Sequence, residues 1–322
     1  MNLQYIRVPD GAAVLACTGS GASVRLPDKV DGLPVKEICP YAFSAPGAAA
    51  AHLPPGADIR EASVSVPAEP EGTGHFLGGE FLRQLRLPAR LRSVGAYAFY
   101  NCTGLSRIVL GAGSAQVGNG ALMNCAGLEE IAVEAPSTEK TCLPGFLAEL
   151  QREVRAVFRF GGKESVWIFP EYYEESVENC PARIFEHFIR GAGFRYRQCF
   201  RGDRLDAESY DEQFQPARNE TGRGALLHIA LWRLRRPDRL SEEAGKRYLA
   251  FLKENAAAAA QLLIREDDPE GLSFLASRGA FTPEEIGAAA EQASRLERAR
   301  CLGVLLHERQ SRFPKKNKTF DL

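Results

Sequence analysis

The chain has 322 residues, of which 45% are hydrophobic and 25% are charged, as in ordinary soluble globular proteins. This length exceeds what one ordinary core organises, so it predicts two domains. Lys and Arg number 40 against 41 Asp and Glu. That balance lacks the basic excess of dedicated nucleic-acid or membrane-surface binders, so neither is the expected partner.

No targeting or membrane segment is visible. The N-terminal residues do not place an apolar stretch after a basic one, so no secretory signal is predicted. The nearest approach to a membrane span, Ala256 to Ile264, is far shorter than the roughly 18–20 residues that a bilayer requires. The eight cysteines lack CxxC spacing, and we expect them to be reduced and buried. Together these features predict a cytoplasmic protein.

A repeat dominates the first half. Leu82, Leu105 and Leu128 begin three short apolar segments at equal intervals along the chain. A second motif, Gly95 to Cys102 and Gly118 to Cys125, recurs with the same spacing. A fixed period in the twenties with one short apolar strand per unit is typical of a leucine-rich repeat solenoid.

Alternation within each unit separates an inner from an outer face. Leu85, Ile108 and Ile131 are expected to enter the core, with Phe99 closing the opposite wall. Polar side chains alternate with them on the outside, the surface that solenoids usually offer to partners. The predicted protein-binding residues are Gln84, Arg86, Arg107 and Glu130. The arginines at 83, 86 and 107 either meet an acidic partner or guard the sheet against strand pairing.

The segment Leu82-Arg-Gln-Leu-Arg-Leu-Pro88 and the motif Val94 to Cys102 resemble the BspA-like leucine-rich repeats of bacteria. Gly19 to Phe43 resembles the N-terminal unit of that family, and the resemblance covers roughly residues 5–135. It implies a leucine-rich repeat solenoid in a bacterial protein that recognises another protein.

Two stretches depart from the repeat. Residues 44–80 are predicted to form a degenerate repeat with a loop insertion, in which a strand over 62–66 returns through 75–77. After the third unit, Val154–Phe160 and Val166–Phe169 are predicted to be the last strands, since terminal repeats must cap an open apolar end.

After Pro170 the apolar period changes from two to about three and a half, which predicts helices. We expect them at 170–179, 181–190 and around 207–214, then at 225–234, 242–254, 256–266, 269–277, 283–296 and 297–310. Ser241 and Thr282 are predicted N-caps. The last helices repeat at about thirty residues and resemble ankyrin-type helix pairs, and a loosely held tail is expected over 314–322.

The predicted fold is therefore α+β in two domains. A leucine-rich repeat solenoid occupies residues 1–169, and an all-α helical-repeat domain occupies residues 170–322. The predicted function is that of a non-catalytic scaffold or adaptor for an unidentified protein partner. No catalytic, cofactor-binding or metal-binding residue is predicted.

Three motifs suggest chemistry, and each has a simpler interpretation. Gly161-Gly-Lys163-Glu lacks the spacing of a phosphate-binding loop and predicts a hairpin turn. Cys180 and His187 would lie about 11 Å apart along a helix, too far for a thiolate–imidazole pair. The four glutamates at 171, 174, 175 and 178 are interpreted as a solvated helix face.

Two alternatives remain open. Aromatic residues and arginines over 183–201 form either a hydrophobic joint between the domains, which we favour, or a stacking platform for single-stranded nucleic acid. The other alternative is an enzyme with its site in a cleft between the domains, although no catalytic constellation is recognised in the sequence.

Overall fold

The computed structural model describes residues 1–64, 74–179 and 184–313. It divides into two compact units, Met1–Thr221 and Gly222–Leu322. The predicted tail at 314–322, the end of the strand predicted over 62–66, and Cys180 lie outside the described residues.

The first unit is mostly β-structure. Its strands are β1 (Asn2–Val8), β2 (Gly11–Gly19), β3 (Ser23–Arg25), β4 (Lys29–Val30), β5 (Leu33–Ile38), β6 (Arg60–Ser63), β7 (His75–Phe76), β8 (Gln84–Arg86), β9 (Ser93–Val94), β10 (Arg107–Leu110), β11 (Gln116–Val117), β12 (Glu130–Val133), β13 (Val154–Phe160), β14 (Lys163–Phe169), β15 (Tyr173–Asn179), β16 (Ile184–Arg190), β17 (Phe200–Arg201) and β18 (Arg204–Leu205). Its helices are α1 (Leu143–Ala148), α2 (Gly193–Arg197), α3 (Ala207–Glu212) and α4 (Phe214–Ala217), with a short 3-10 turn at Ala50–His52.

One sheet stacks the predicted repeat strands. We call it the repeat sheet; β3, β8, β10, β12 and β13 are parallel neighbours in it, and β14 closes it antiparallel. Leu85 lies beside Ile108, and Ile108 lies beside Ile131, all fully buried. Because the intervals between these three leucine and isoleucine positions are equal, equivalent residues fall side by side in each turn. The predicted solenoid is confirmed.

Hydrogen bonds join residues that are one repeat apart. The Ser106 hydroxyl donates to the Arg83 carbonyl at 3.1 Å, across a separation of 23 residues. The Asn124 side-chain amide donates to the Asn101 side-chain oxygen at 2.6 Å across the same separation of 23 residues. The repeat period is therefore the sequence distance between neighbouring turns of the solenoid.

The opposite wall repeats in the same way. Strands β5, β9 and β11 are parallel, with Ile38 beside Val94. Beyond them the rings of Phe43 and Phe99 stack with centroids 5.4 Å apart. The Phe43 amide donates to the Ala98 carbonyl at 2.8 Å. Backbone hydrogen bonds and buried aromatic rings therefore join successive turns on this side, as predicted for Phe99.

The recurring Asn-Cys pair has a structural role in each turn. Asn101 and Asn124 adopt left-handed backbone conformations, with φ of 62° and 61°, which asparagine tolerates better than most residues. The Cys102 thiol donates to the Phe43 carbonyl at 3.2 Å, and the Cys125 thiol donates to the Phe99 carbonyl at 3.1 Å. Both cysteines are buried, as expected, and their thiols hydrogen-bond the neighbouring turn.

Residues 44–80 differ from the predicted degenerate repeat. Strand β6 pairs antiparallel with β1, and β7 pairs antiparallel with β2, so among the described residues β6 and β7 do not pair with each other. Both strands extend the sheet that β1 and β2 begin. The partner strands lie at the N-terminus, far from β6 and β7 in sequence, and local patterns cannot indicate such a pairing.

The helices predicted over 170–179 and 181–190 are wrong. Here β15 and β16 form an antiparallel hairpin in which Tyr173 pairs with Arg190. In Ile184-Phe-Glu-His-Phe-Ile189, β-branched and aromatic residues favour a strand, and Pro181 interrupts any helix between the two segments. The hairpin belongs to the first compact unit, whose limit at Thr221 lies well beyond the predicted boundary at 169/170.

A buried arginine closes the end of the solenoid. The Arg197 guanidinium donates to the carbonyls of Leu147 (3.1 Å), Pro170 (2.6 Å), Gly193 (2.9 Å) and Arg152 (2.7 Å). Burial lowers the pKa of Arg197 to about 10, so the side chain stays protonated at neutral pH. The carbonyls satisfy a charge that would otherwise be costly to bury.

Of the aromatic residues predicted to form a joint between domains, Phe194, Tyr196 and Phe200 pack inside the first unit, whereas Phe188 is exposed. Tyr196 and Tyr210 lie with ring centroids 4.7 Å apart, and Tyr210 also contacts Trp167 and Phe169. This cluster covers β14, so it caps the repeat sheet, where an open apolar end would face water.

The second unit is helical, as predicted. It contains α5 (Arg223–Arg235), α6 (Glu242–Glu254), α7 (Ala256–Arg265), α8 (Pro269–Ser277), α9 (Pro283–Arg295) and α10 (Ala299–Arg312). The predicted caps are confirmed, because Ser241 accepts a hydrogen bond from the Ala244 amide and Thr282 accepts one from the Glu285 amide. Among the described residues, no helix is long and apolar enough to cross a membrane.

The last four helices form two similar pairs, α7 with α8 and α9 with α10. Asp267 and Glu297 occupy the turns after α7 and α9, and both have positive φ, at 54° and 55°. The amides of the residues that follow donate hydrogen bonds to equivalent carbonyls, Asp268 to Leu263 and Arg298 to Ala293. The helical repeat is therefore present, and its assignment to the ankyrin type stays a prediction.

Replacing Phe99 with alanine should lower the free energy of unfolding of the first unit by about 3–5 kcal/mol, because a fully buried ring leaves a cavity. Urea unfolding followed by tryptophan fluorescence measures this in a Trp232→Phe background, where only Trp167 reports. The matched control is Phe81→Ala, an exposed ring whose loss should change stability by less than about 0.5 kcal/mol. Equal effects of the two variants would show that the repeat register is wrong.

Cys102 and Cys125 should resist alkylation in the folded protein. Burial raises the pKa of each thiol to about 12, so almost no reactive thiolate exists at neutral pH. Iodoacetamide labelling followed by peptide mass spectrometry should find both residues unmodified in buffer and modified in concentrated urea. Rapid labelling without denaturant would contradict their place in the core.

Candidate interaction face of the repeat sheet

The outward side of the repeat sheet, which we call the outer face, brings the predicted binding residues together. Register places Ser23, Gln84, Arg107, Glu130 and Arg155 side by side in one row across five strands. A second row contains Arg25, Arg86, Val109, Ala132 and Val157. Gln84, Arg86, Arg107 and Glu130 therefore lie on one surface, as the alternation predicts.

Glu130 lies at the centre of an ion-pair network on this face. Its carboxylate contacts the guanidiniums of Arg107 at 2.9 Å, Arg155 at 2.9 Å and Arg159 at 3.6 Å. The Glu130 side chain is only 13% exposed, whereas its partners are 34–41% exposed. Arg159 also contacts Glu164 at 2.8 Å. A network with a sheltered carboxylate holds its arginines in place better than isolated surface pairs do.

Arg86 is also engaged within the chain. Its guanidinium forms an ion pair with Glu134, which follows β12, so the side chain reaches past β10. Val109 and Gly111 line the same cleft as Arg86 and Glu134. Arg86 and Arg107 are therefore already in ion pairs within the chain. Their role differs from the prediction that they meet an acidic partner. Their positive charges are largely neutralised by carboxylates of this same chain.

A cleft of about 600 Å³ opens on the outer face where β3, β8 and β10 end. Its lining includes three arginines and two carboxylates, namely Arg25, Arg86, Arg90, Asp28 and Glu134. Both carboxylates are occupied: Glu134 pairs with Arg86, and Asp28 accepts a hydrogen bond from the Ala89 amide at 2.8 Å. Arg25 and Arg90 are exposed and have no ion-pair partner within the described ranges. With three arginines against two carboxylates, the lining of this cleft carries one excess positive charge.

Two residues on or beside these strands do not contribute to the outer face. Arg83 precedes β8, and its guanidinium donates to the Gly104 carbonyl at 3.3 Å between two turns. Ala132 is almost fully buried. Arg83 therefore supports the turn, and Ala132 offers no contact surface.

Sequence reasoning missed Arg25, Arg90, Glu134, Arg155 and Arg159. One signal was available, because Val24-Arg25-Leu26-Pro27 matches Leu85-Arg86-Leu87-Pro88 in residue types. The interval between these two segments is not a whole number of repeat periods, which hid the pairing of β3 with β8. Arg155 lies 25 residues after Glu130, so the step from β12 to β13 is also irregular.

The Arg and aromatic segment over 183–201 does not form a basic stacking platform in the described residues. Arg190 pairs with Glu175, Arg195 with Glu220, and Arg201 with Asp206, while Arg197 is buried. The exposed ring of Phe188 already lies under the Arg190 guanidinium, 5.4 Å away. The described arginines and the Phe188 ring that suggested a nucleic-acid site are thus engaged with groups of this same chain.

The other motifs that suggested chemistry lie in a turn or on surface strands. Gly161 and Gly162 form the predicted hairpin turn between β13 and β14, both with positive φ. Across the described ranges, no group of three or more His, Cys, Asp or Glu is placed to hold a metal ion. His187 lies on β16, and the glutamates predicted on a helix lie on or beside β15.

Replacing Glu130 with glutamine should destabilise the first unit by about 1–3 kcal/mol, because three guanidiniums lose their shared carboxylate. Part of the loss should be recovered at high salt, since salt screens the repulsion among the arginines. Urea unfolding at low and high salt measures both effects. Glu129→Gln, an exposed neighbour with the same charge change, is the control, and equal stability of the two variants would refute the network.

Comparison with known proteins supports the repeat assignment. Residues 72–142 match the family model described as the BspA type leucine rich repeat region, of six copies. A search of curated proteins gives no match. Over 41% of its length the chain is similar to a leucine-rich repeat protein of T. pallidum known from a crystal structure, with 24% sequence identity and a TM-score of 0.25. The similarity spans half of that protein. The predicted resemblance is confirmed for residues 72–142, which are similar to the BspA type leucine rich repeat region.

Proposed function

We propose that this protein is a non-catalytic scaffold that recognises a protein partner through the outer face of the repeat sheet. The observation that supports this most strongly is the in-register row from Gln84 through Arg107 and Glu130 to Arg155. Ion pairs hold Arg107, Glu130 and Arg155 before any partner arrives, so little of their side-chain entropy is lost on binding. Repeat solenoids commonly use such extended surfaces for recognition.

The distribution of charge suggests the chemistry of the partner. Around Glu130, three arginines share the carboxylates of Glu130 and Glu164, so each arginine of the network is held in an ion pair. At the cleft, Arg25 and Arg90 have no ion-pair partner among the described residues. An acidic patch on the partner would therefore dock at the cleft, while the Glu130 network would form the polar rim.

A scaffold role fits the chemistry of the described residues better than catalysis does. Catalytic sites commonly bring together titratable groups whose pKa values are shifted by a cleft. The strongly raised pKa values belong to buried groups such as the thiols of Cys17 and Cys39 and the phenol of Tyr196, and burial is the main cause in each. The described cysteines are all free and buried, which also suits a reducing compartment such as the cytoplasm.

The double substitution Arg25→Glu and Arg90→Glu should weaken capture of the partner by about tenfold without changing the thermal melt. Neither arginine has an ion pair to lose among the described residues, so the fold should tolerate both changes. The matched control is Arg300→Glu in α10, an exposed arginine without an ion pair in the described ranges. Affinity capture from the native cell with quantitative mass spectrometry compares the three proteins.

The decisive comparison is the set of proteins recovered with the wild type and the control but depleted with the double variant. A protein depleted by the outer-face variant alone would support the proposal. Identical recovery with all three proteins would place the binding surface elsewhere and contradict it.

A further inference from the structure

The hairpin of β15 and β16 is a sheet of its own. Within the described ranges, neither strand pairs with any third strand, so both outer edges carry unpaired backbone amides and carbonyls. Each strand is seven residues long, whereas the other two-stranded sheet of the unit, β17 with β18, has strands of only two. The hairpin therefore offers a long edge that is open to pairing.

Its side chains are as exposed as its edges. All of the described side chains from Tyr173 to Glu178 and from Glu186 to Arg190 face solvent. Among them, Tyr173, Val177, Phe188 and Ile189 are large apolar residues with 38–59% of their surface exposed. A lone two-stranded hairpin is at best marginally stable in water, so this segment gains stability if another strand joins it.

The base of the hairpin is held firmly by the rest of the unit. The Tyr172 amide donates to the Gln151 carbonyl at 2.8 Å, and the Ala192 amide donates to the Thr221 hydroxyl at 3.1 Å. At Gly193 a methyl group would lie 2.1 Å from the Pro170 carbonyl oxygen, so the two ends of the hairpin approach as only glycine permits. The strands are thus presented in a defined place.

Charge indicates what kind of strand would fit. The described hairpin and the residues just before it carry five carboxylates, at Glu171, Glu174, Glu175, Glu178 and Glu186, against the single arginine Arg190. Arg190 pairs with Glu175, and His187 lies 3.5 Å from Glu174. Glu171, Glu178 and Glu186 have no ion-pair partner among the described residues.

We propose that the outer edge of β15 accepts an extended basic segment of a partner protein as an added strand. Main-chain hydrogen bonds to β15 would provide the pairing, and Lys or Arg side chains would lie opposite Glu174 and Glu178. A second copy of this chain is a poor occupant, because β15 against β15 would bring glutamates together. This site goes beyond the outer face and does not depend on Arg25, Arg86 or Glu130.

The probe is a short synthetic peptide of alternating lysine and valine, and its binding to the full-length protein is measured. Two matched peptides accompany it: one in which glutamate replaces each lysine, and one in which proline replaces each valine, so that the charge is kept and strand pairing is lost. Fluorescence anisotropy measures affinity, and hydrogen exchange measures protection of the amides of residues 173–178.

The lysine–valine peptide should bind and protect amides of β15, and each matched peptide should bind at least about tenfold more weakly. Glu174→Lys with Glu178→Lys should abolish binding of the lysine–valine peptide and favour the glutamate peptide instead. Glu291→Lys in α9, an exposed glutamate, is the control for adding positive charge and should leave binding unchanged.

Three results would overturn the proposal: equal binding of the proline peptide, binding that survives the double charge reversal, or no binding of the lysine–valine peptide. Sedimentation of the free protein tests the other occupant. A dimer that the Glu174→Lys and Glu178→Lys variant dissociates would assign the edge to a second copy and refute the basic partner. None of these outcomes alters the test of the outer face.

Discussion

The equal spacing of β8, β10 and β12 along the sequence is the constraint on which the rest of the structure depends. It brings Leu85, Ile108 and Ile131 to the same depth in the core, and each contributes to an interior that no single turn could bury alone. The same spacing aligns the outward positions into rows. Core stability and surface pattern therefore have one cause, since a slip in register would bury polar side chains and expose apolar ones.

That regularity ends in two different ways along the first unit. At the repeat sheet's last turns, β14 turns back antiparallel, and Arg197 with a cluster of aromatic rings covers the opening. At the hairpin of β15 and β16, no such cover exists within the described ranges. One part of the unit is thus sealed by its own side chains, whereas the other presents unpaired backbone. This contrast distinguishes a structural cap from an interaction element.

Sequence patterns predicted what is local or periodic. The leucine-rich repeat, the bounds of α6 and α8, and the caps at Ser241 and Thr282 follow from spacing and from capping chemistry within a few residues. What could not be predicted depends on partners distant in sequence. Strand β3 pairs with β8 across the whole stretch 26–83, Arg197 finds carbonyls up to 50 residues away, and Glu130 draws arginines from two other strands. The hairpin was missed because its glutamates also suit a helix, and strand pairing had to decide between the two.

The register of the repeat sheet can be tested directly with engineered cysteines. Val109 and Ala132 are partners across β10 and β12, and neighbouring strands lie about 4.8 Å apart, within the range that a disulfide bridges. Mild oxidation of the Val109→Cys, Ala132→Cys variant should form this disulfide in the folded protein, as detected by mass spectrometry of unreduced peptides. The pair Val109→Cys, Glu134→Cys, displaced along β12, should cross-link far more slowly. Faster cross-linking of the displaced pair would contradict the repeat register and the outer face built on it.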